Sequence, residues 1–264
     1  MNKIRELLTI DSNMFFSEYY NEPFILRNGA NTWPAMEKWN ISFFVKKYPD
    51  LMVNVFHCLD KKWITMNLKT YFIEYYKNDK NYLYLKDWVF ENDIPELLED
   101  ILKFPFFNSW FDDFKNFNKK LCWLYIGSKG TSSALHLDVG NTSAWNAVFS
   151  GQKKWVFFDS HNDRKNLYDL NIDAFNLDCE KYPNLKLTNP QYCIQNPGDI
   201  VFTPSNWIHQ VVNLKSGISI TENFVNQSNV DFVINQLEKE GVEDVAKELI
   251  GYKVKFNAKE SKCS

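Results

Sequence analysis

From Leu121 onward the chain alternates short apolar, β-branched and aromatic runs with turn residues. The runs cover 122–126, 133–138, 144–150, 153–158, 192–195, 200–203, 208–214 and 218–224, and each has the length and punctuation of a strand. Gly151-Gln152 and Asn196-Pro197-Gly198-Asp199 read as tight turns between neighbouring runs. Many short strands so broken predict a sandwich or barrel. The stretch 160–189 is polar, rich in Asn and Asp, and reads as a long insert between strands.

The amino-terminal part has a different texture. Ile4, Leu7 and Leu8, then Met14 and Phe15, recur at helical spacing, and Asp11 or Ser12 can cap a second helix. A short strand over 22–29 ends in a turn; helix returns over 33–48, strand over 52–56, and helix over 68–76. Leu83-Tyr84-Leu85 is a compact strand, 95–102 reads as helix and 105–117 as an aromatic connection. Past Val230, Phe232, Val233, Ile234 and Leu237, then 242–249, predict closing helices, and the tail after Lys255 reads as disordered. There is no internal repeat.

The expected fold class is mainly β with added α. A double-stranded β-helix, or jelly-roll, core over 120–228 is joined by a mixed helical and strand region over 1–119 and by helices and tail over 229–264. At 264 residues, one elaborated core fits the length. Aromatic residues make up 17% of the chain, enough to fill a bulky core and line a pocket. A net charge of -3 excludes the broad basic field of a nonspecific nucleic-acid binder. The start is too charged for a signal peptide, and no apolar stretch approaches a membrane span, so a soluble intracellular protein, cytoplasmic, nuclear or both, is expected. Five scattered cysteines without a C-x-x-C pair argue for free thiols over disulfides or a zinc module.

Histidine is scarce, with four residues, two of which begin an H-x-D. His161-Asn162-Asp163 sits in a polar turn-rich run where side chains share no direction, and reads as chance. His136-Leu137-Asp138 falls on a predicted strand, where residues two apart face the same side, so imidazole and carboxylate converge while Leu137 faces away. His209, at the start of another run, supplies the second imidazole of a two-histidine, one-carboxylate triad that leaves positions open on iron. A keto acid such as 2-oxoglutarate can fill two of these positions, and its far carboxylate then needs a cation and a hydroxyl inside the barrel. Lys153, on the same strand face as Trp155, supplies the cation, and Thr221 the hydroxyl; Lys154 has the opposite parity and points outward. His57 reads as structural, and Trp145, Trp155 and Trp207 as core.

The runs Ser133-Ala134-Leu135-His136-Leu137-Asp138, Thr142-Ser143-Ala144-Trp145-Asn146 and Gly151-Gln152-Lys153-Lys154-Trp155 resemble the first half of a JmjC domain. Pro197-Gly198-Asp199-Ile200-Val201-Phe202-Thr203-Pro204, Trp207-Ile208-His209 and Ile220-Thr221-Glu222-Asn223-Phe224 resemble the second half. The likeness runs from about residue 20 to 226 and points to the small hydroxylase-type JmjC proteins that include the phosphatidylserine-receptor-like lysyl hydroxylase group. It implies an iron(II)- and 2-oxoglutarate-dependent oxygenase with His136, Asp138 and His209 as metal ligands and Lys153 with Thr221 on the far carboxylate. By resemblance alone, Asn146, Tyr84 and Ser133 are further cosubstrate contacts and Asn223 lines the same pocket. Ser133 stands where the similar group has Thr, which keeps the hydroxyl, whereas Ala134 and Leu135 depart in shape and leave the substrate open.

The implied reaction uses dioxygen to hydroxylate a protein or peptide side chain, lysine first, with release of succinate and carbon dioxide. N-methyl-lysine or N-methyl-arginine demethylation at the same centre is the alternative within the enzyme class. A catalytically silent JmjC or cupin-like binding scaffold, or a cupin holding zinc or manganese, stays open as well. A homodimer through the carboxy-terminal helices is a further expectation.

Overall fold

The computed structural model describes residues 1–76, 78, 82–114, 117, 120–167 and 171–263. In chain order the strands are β1 (Asn2–Lys3), β2 (Arg5–Leu7), β3 (Phe24–Leu26), β4 (Met52–His57), β5 (Lys62–Asn67), β6 (Leu83–Trp88), β7 (Cys122–Gly127), β8 (Ser143–Asp159), β9 (Gln191–Gln195), β10 (Ile200–Thr203) and β11 (Trp207–Phe224). They form one hydrogen-bonded path, β2-β3-β10-β8-β11-β7-β6-β4-β5, with β9 on the far half of β8 and β1 beyond it. This is the expected double-stranded β-helix, extended by the amino-terminal strands.

Its spine is the antiparallel pair of β8 and β11, 17 and 18 residues long. Each was expected as two strands; each is instead one strand that bends midway. Gly151 takes φ +85 at the bend, and the predicted hairpin turn there does not form. A Cβ on Gly151 would lie 2.6 Å from the Gly217 Cα and 2.7 Å from the Ser216 carbonyl oxygen, so the two strands cross at a corner that admits no side chain. Beyond the corner β8 pairs with β9, and before it with β10, so the halves of β8 and β11 belong to two layers around one interior.

The bend changes the register. Lys153 lies opposite Asn213 and Phe157 opposite His209, while on the other side of the corner Asn146 lies opposite Thr221 and Ala144 opposite Asn223. The register shift between these two sets lets odd-numbered Lys153 and Trp155 and even-numbered Ala144 and Asn146 all face the interior. The outward parity of β8, Val156 and Phe158, packs with Ile208, Leu167 and Leu185, and Lys154 points out over Phe175.

The insert at 160–189 covers this outer face with the helix Ser160–Leu167 and a turn at Pro183–Leu187; positions 168–170 of the insert and 115–116 of the aromatic connection lie outside the described residues. The other layer is backed by the largest apolar cluster, in which Trp39, Phe44, Phe72, Phe107, Trp145 and Phe202 are buried. Most of the aromatic surplus is spent here, in rings packed edge-on or stacked.

Four local expectations are corrected. The first residues form strands: β1 lies parallel to β9 and β2 to β3, with Ile4 buried between them. Their apolar spacing suits a helix, but so short a segment gains more from the unpaired backbone groups of two sheet edges. The helix expected over 33–48 is two, Pro34–Lys38 and Ile41–Lys47, because Trp39 is extended, its Nε1 donating to Asp100 at 2.9 Å, and Asn40 caps the second helix through Phe43 N. The segment expected as a strand over 133–138 is not a continuous strand: its ladder to β11 is reduced to isolated bridges, Ser132 to Val212 and His136 to His209. The tail is not disordered: Glu243–Cys263 is one helix, seated by Tyr252 and Phe256 against Trp110.

Replacing Gly151 by Ala should lower unfolding free energy by about 3 kcal/mol, from a left-handed backbone plus contact with Gly217. Gly251 in the last helix has nothing within 4 Å of a built Cβ, and its replacement by Ala should stabilise by up to about 1 kcal/mol. Urea unfolding of the two variants checks the contrast.

Candidate metal centre

The segment before Asp138 is too irregular for a sheet but is pinned where it matters. His136 N donates to the His209 carbonyl at 3.0 Å and His209 N to the His136 carbonyl at 2.8 Å. Each side of this bridge keeps strand alternation: Leu135 and Leu137 pack outward against the cluster around Val156 and Ile208, while His136 and Asp138 turn inward. The imidazoles of His136 and His209 stand 4.3 Å apart by ring centroid. One ligand atom from each of His136, Asp138 and His209 lies within 4.8 Å of the others, a two-histidine, one-carboxylate facial triad.

The tautomers are set by carbonyls. His136 Nδ1 lies 2.8 Å from the Ala134 carbonyl and His209 Nδ1 3.1 Å from the Trp207 carbonyl. A carbonyl only accepts, so both Nδ1 atoms carry the proton and both Nε2 lone pairs are left for a metal. Asp138 Oδ2 is buried with no hydrogen-bond partner, an orphan that a cation would satisfy. His209 is buried, and that burial, with His136 beside it, pulls its pKa down to about 4 against the opposing pull of Asp138 and the Trp207 carbonyl. It is therefore a neutral ligand across the physiological range.

The triad opens into a cavity of about 430 Å³. All nine residues expected to form the site line it: the triad, Lys153, Thr221, Asn146, Tyr84, Ser133 and Asn223. Lys153 is 6% exposed, its Nζ donating to Asn213 Oδ1 at 2.9 Å and to the Tyr84 hydroxyl at 3.3 Å. Burial alone lowers its pKa to about 7. Among the described residues no carboxylate forms an ion pair with it, so this part of the cavity presents one cation without a countercharge. Thr221 Oγ accepts from Asn146 Nδ2 at 2.8 Å, which leaves its own proton to donate. Ser133 Oγ accepts from Val211 N at 3.1 Å, and Asn223 Nδ2 donates to Thr142 Oγ at 2.8 Å.

The other singled-out residues lie elsewhere. His161 belongs to the helix Ser160–Leu167 and a separate recess with Glu22 and Trp207. His57 Nδ1 accepts from Asp60 N and closes a turn. Trp145, Trp155 and Trp207 are buried as core residues, although the first two also reach the cavity wall. Sequence reasoning missed Asn213, whose parity with His209 and Val211 on β11 could have found it, and the further lining residues Trp123, Tyr125 and Asp87. Asp87 sits at φ +54 beside a register shift in β6, a backbone irregularity with no periodic signature.

A facial triad inside a bent double-stranded β-helix is the arrangement of a JmjC-type iron(II)/2-oxoglutarate oxygenase. The chain belongs to the cupin-like domain family, whose model matches residues 12–230. It is similar to the arginine-specific demethylase JMJ20 of Arabidopsis thaliana, 31% identical over 87% of this chain and 60% of that protein. The 2-oxoglutarate and iron-dependent oxygenase JMJD4 of Mus musculus is 30% identical over 79% of this chain and 56% of its own length. The bifunctional arginine demethylase and lysyl-hydroxylase psr-1 of Caenorhabditis elegans is 26% identical over 80% of this chain and 57% of its own. The chain thus spans 60% or less of the length of these three relatives.

Titration with manganese(II), followed calorimetrically at pH 7, should show a single site in the parent. His209→Ala should weaken it by at least about 100-fold, since even the partners behind a metal ligand are worth that much. Because His209 is neutral down to about pH 4, moving from pH 7 to pH 6 should not release a proton from it on binding.

Proposed function

We propose that this protein is an iron(II)- and 2-oxoglutarate-dependent oxygenase that hydroxylates a C–H bond on a protein or peptide side chain. The observation that supports the reading is Lys153, a buried lysine with no ion-pair partner among the described residues, in the same cavity as the triad. A catalytically silent scaffold, or a cupin holding zinc or manganese for other chemistry, has no use for such a group, which burial penalises until an anion arrives.

The residues fit both absent groups. The orphaned Asp138 oxygen and the two free Nε2 lone pairs suit a divalent ion, and iron(II) is the one the facial triad favours. The Lys153 ammonium and Thr221 hydroxyl suit the far carboxylate of 2-oxoglutarate. Bound iron(II), with 2-oxoglutarate and dioxygen, supplies the oxidation that turns C–H into C–OH while the keto acid leaves as succinate and carbon dioxide. The chain's own part is placement: Lys153 and the Tyr84 hydroxyl fix the carboxylate end, Asn146 aims Thr221, and Ser133 and Asn223 border the cavity. Trp155, stacked beside His209 at 5.8 Å, and Trp145 keep the chamber walls apolar and limit water.

The resemblance alone favours lysine hydroxylation. Two of the three relatives described carry arginine demethylase in their names, which shifts the first reading to N-methyl groups, with methyl-arginine ahead of methyl-lysine. Both outcomes begin with the same hydroxylation; on an N-methyl carbon the product falls apart to formaldehyde and the free amine. Among the described residues no helix is long and apolar enough to cross a membrane. A homodimer through the carboxy-terminal helices belongs to the same proposal, with Ile250 and Val254 exposed on the last of them, and light scattering tests it.

Incubated with iron(II), 2-oxoglutarate and methyl-arginine peptides, the parent should release succinate and formaldehyde, with loss of methyl mass from the peptide. Gain of one oxygen without formaldehyde would identify the hydroxylase outcome, and no succinate with any peptide pool would favour the scaffold. Lys153→Met should weaken 2-oxoglutarate by about 100-fold or more. In the parent, binding should be strongest below pH 7 and fall up to about tenfold per pH unit above it, because an emptied Lys153 has lost the proton the dianion needs.

A further inference from the structure

Asn213 faces Lys153 directly across the β8–β11 pair, and its amide can adopt only one orientation. Its Nδ2 donates to Thr131 Oγ at 2.8 Å, while Thr131 gives its single hydroxyl proton to the Ser128 carbonyl at 2.7 Å. With that proton committed, Thr131 Oγ can only accept, so the nitrogen of Asn213 must face Thr131 and the oxygen must face Lys153. Ser128 is in turn held by its hydroxyl on the Tyr76 carbonyl, and the Asn213 backbone is tied to Thr131 and Gly130. The backbone of β7 makes room for this chain of bonds: a Cβ on Gly127 would come within 2.4 Å of Asn213 Nδ2, 2.7 Å of Thr131 Oγ and 2.8 Å of the Tyr84 ring.

We infer that Asn213 is a positioning residue: it holds the Lys153 ammonium at the cosubstrate's far carboxylate through a neutral acceptor, and so aims the charge without cancelling it. This rests on 2-oxoglutarate being the cosubstrate. A carboxylate of the same size at 213 would form a better bond to Lys153 and would leave no net charge for a ligand. The other groups around Lys153 are also neutral. Tyr84 on β6 and Tyr125 on β7, at 5.8 and 6.0 Å from the ammonium by ring centroid, have their phenol pKa values raised by burial, and Gln195, opposite Lys153 on β9, is uncharged. The remaining titratable groups lining the chamber are the triad and the pair Lys86 and Asp87, which bridge each other at 3.1 Å, Asp87 also accepting from the Tyr125 hydroxyl.

The test uses the full chain loaded with manganese(II), which binds without turnover, and measures binding of 2-oxoglutarate and of pyruvate, a keto acid without the far carboxylate. Asn213→Asp should bind manganese and pyruvate as the parent does, but 2-oxoglutarate about 30-fold or more weaker at pH 7. The loss of binding above pH 7 should move up by more than one pH unit, since a paired lysine keeps its proton longer. Thr131→Val, which keeps the shape but frees the Asn213 amide to turn, should weaken 2-oxoglutarate several-fold and leave pyruvate unchanged; it decides the matter should the first variant fail to fold. Equal losses for both keto acids, or parent-like 2-oxoglutarate binding with an unshifted pH profile, would overturn the positioning role. A parent that binds manganese and pyruvate but gains nothing from the far carboxylate would overturn the cosubstrate reading and this inference with it.

Discussion

The register between two long antiparallel strands is the constraint on which the site depends. β8 and β11 set Lys153 against Asn213, Phe157 against His209, Asn146 against Thr221 and Ala144 against Asn223. Side chains on a strand alternate with a period of two, so a slip of one residue would send the histidine, the lysine and the threonine to the outside together. Apolar residues prevent the slip. Val156, Phe158 and Ile208 fill one face of the pair and Trp155 and Phe157 the other, and exchanging the faces would put Lys153 into a hydrocarbon cluster.

A single regular strand could not build this chamber. The chamber is lined by residues from both sides of the bend, and in β8 these differ in parity. The corner at Gly151 and Gly217 resolves the conflict by absorbing the register shift, and it admits no side chain because each glycine lies against the other strand's backbone. The same device that closes the β-helix therefore brings Asn146 and Lys153 to face one cavity.

Much of this was legible in the sequence because it is periodic or chemically rare. Strand runs, the His136-Leu137-Asp138 pattern and the parity of Lys153 with Trp155 follow from the alternation of a half-buried strand. What escaped reading depends on contacts distant in sequence. The helical spacing of Ile4, Leu7 and Leu8 is genuine, yet those residues are held by β3 and β9, whose exposed edges no local pattern reveals. Gly151 was read as a hairpin turn because a glycine at a bulge and a glycine at a turn look alike until the neighbouring strand is known. The tail from Lys255 is polar enough to pass as disordered, but Phe256 docks on Trp110 and carries the helix onward. Asn213 carries no motif; it matters only because Lys153 is its partner across the strands.

An uncompensated buried lysine lowers the stability of the empty protein, and the sign can be worked out. Its folded pKa, about 7, lies below the ordinary value of 10.5 that the unfolded chain retains. Between those values the unfolded state binds more protons, so the lysine's contribution to stability improves as pH rises from 7 toward 10.5; below 7 the full penalty of a buried charge persists. A dianion that pairs with Lys153 reverses this, stabilising the fold most where the empty site is least comfortable. If Lys153 holds the far carboxylate as proposed, binding that anion and completing the core are the same event at this position. The large aromatic cluster behind Trp145 and Phe202 buries apolar surface that offsets the cost of this lysine. A carboxylate partner for Lys153 would remove that penalty, and with it the attraction for an anion on which the proposed role of Lys153 rests.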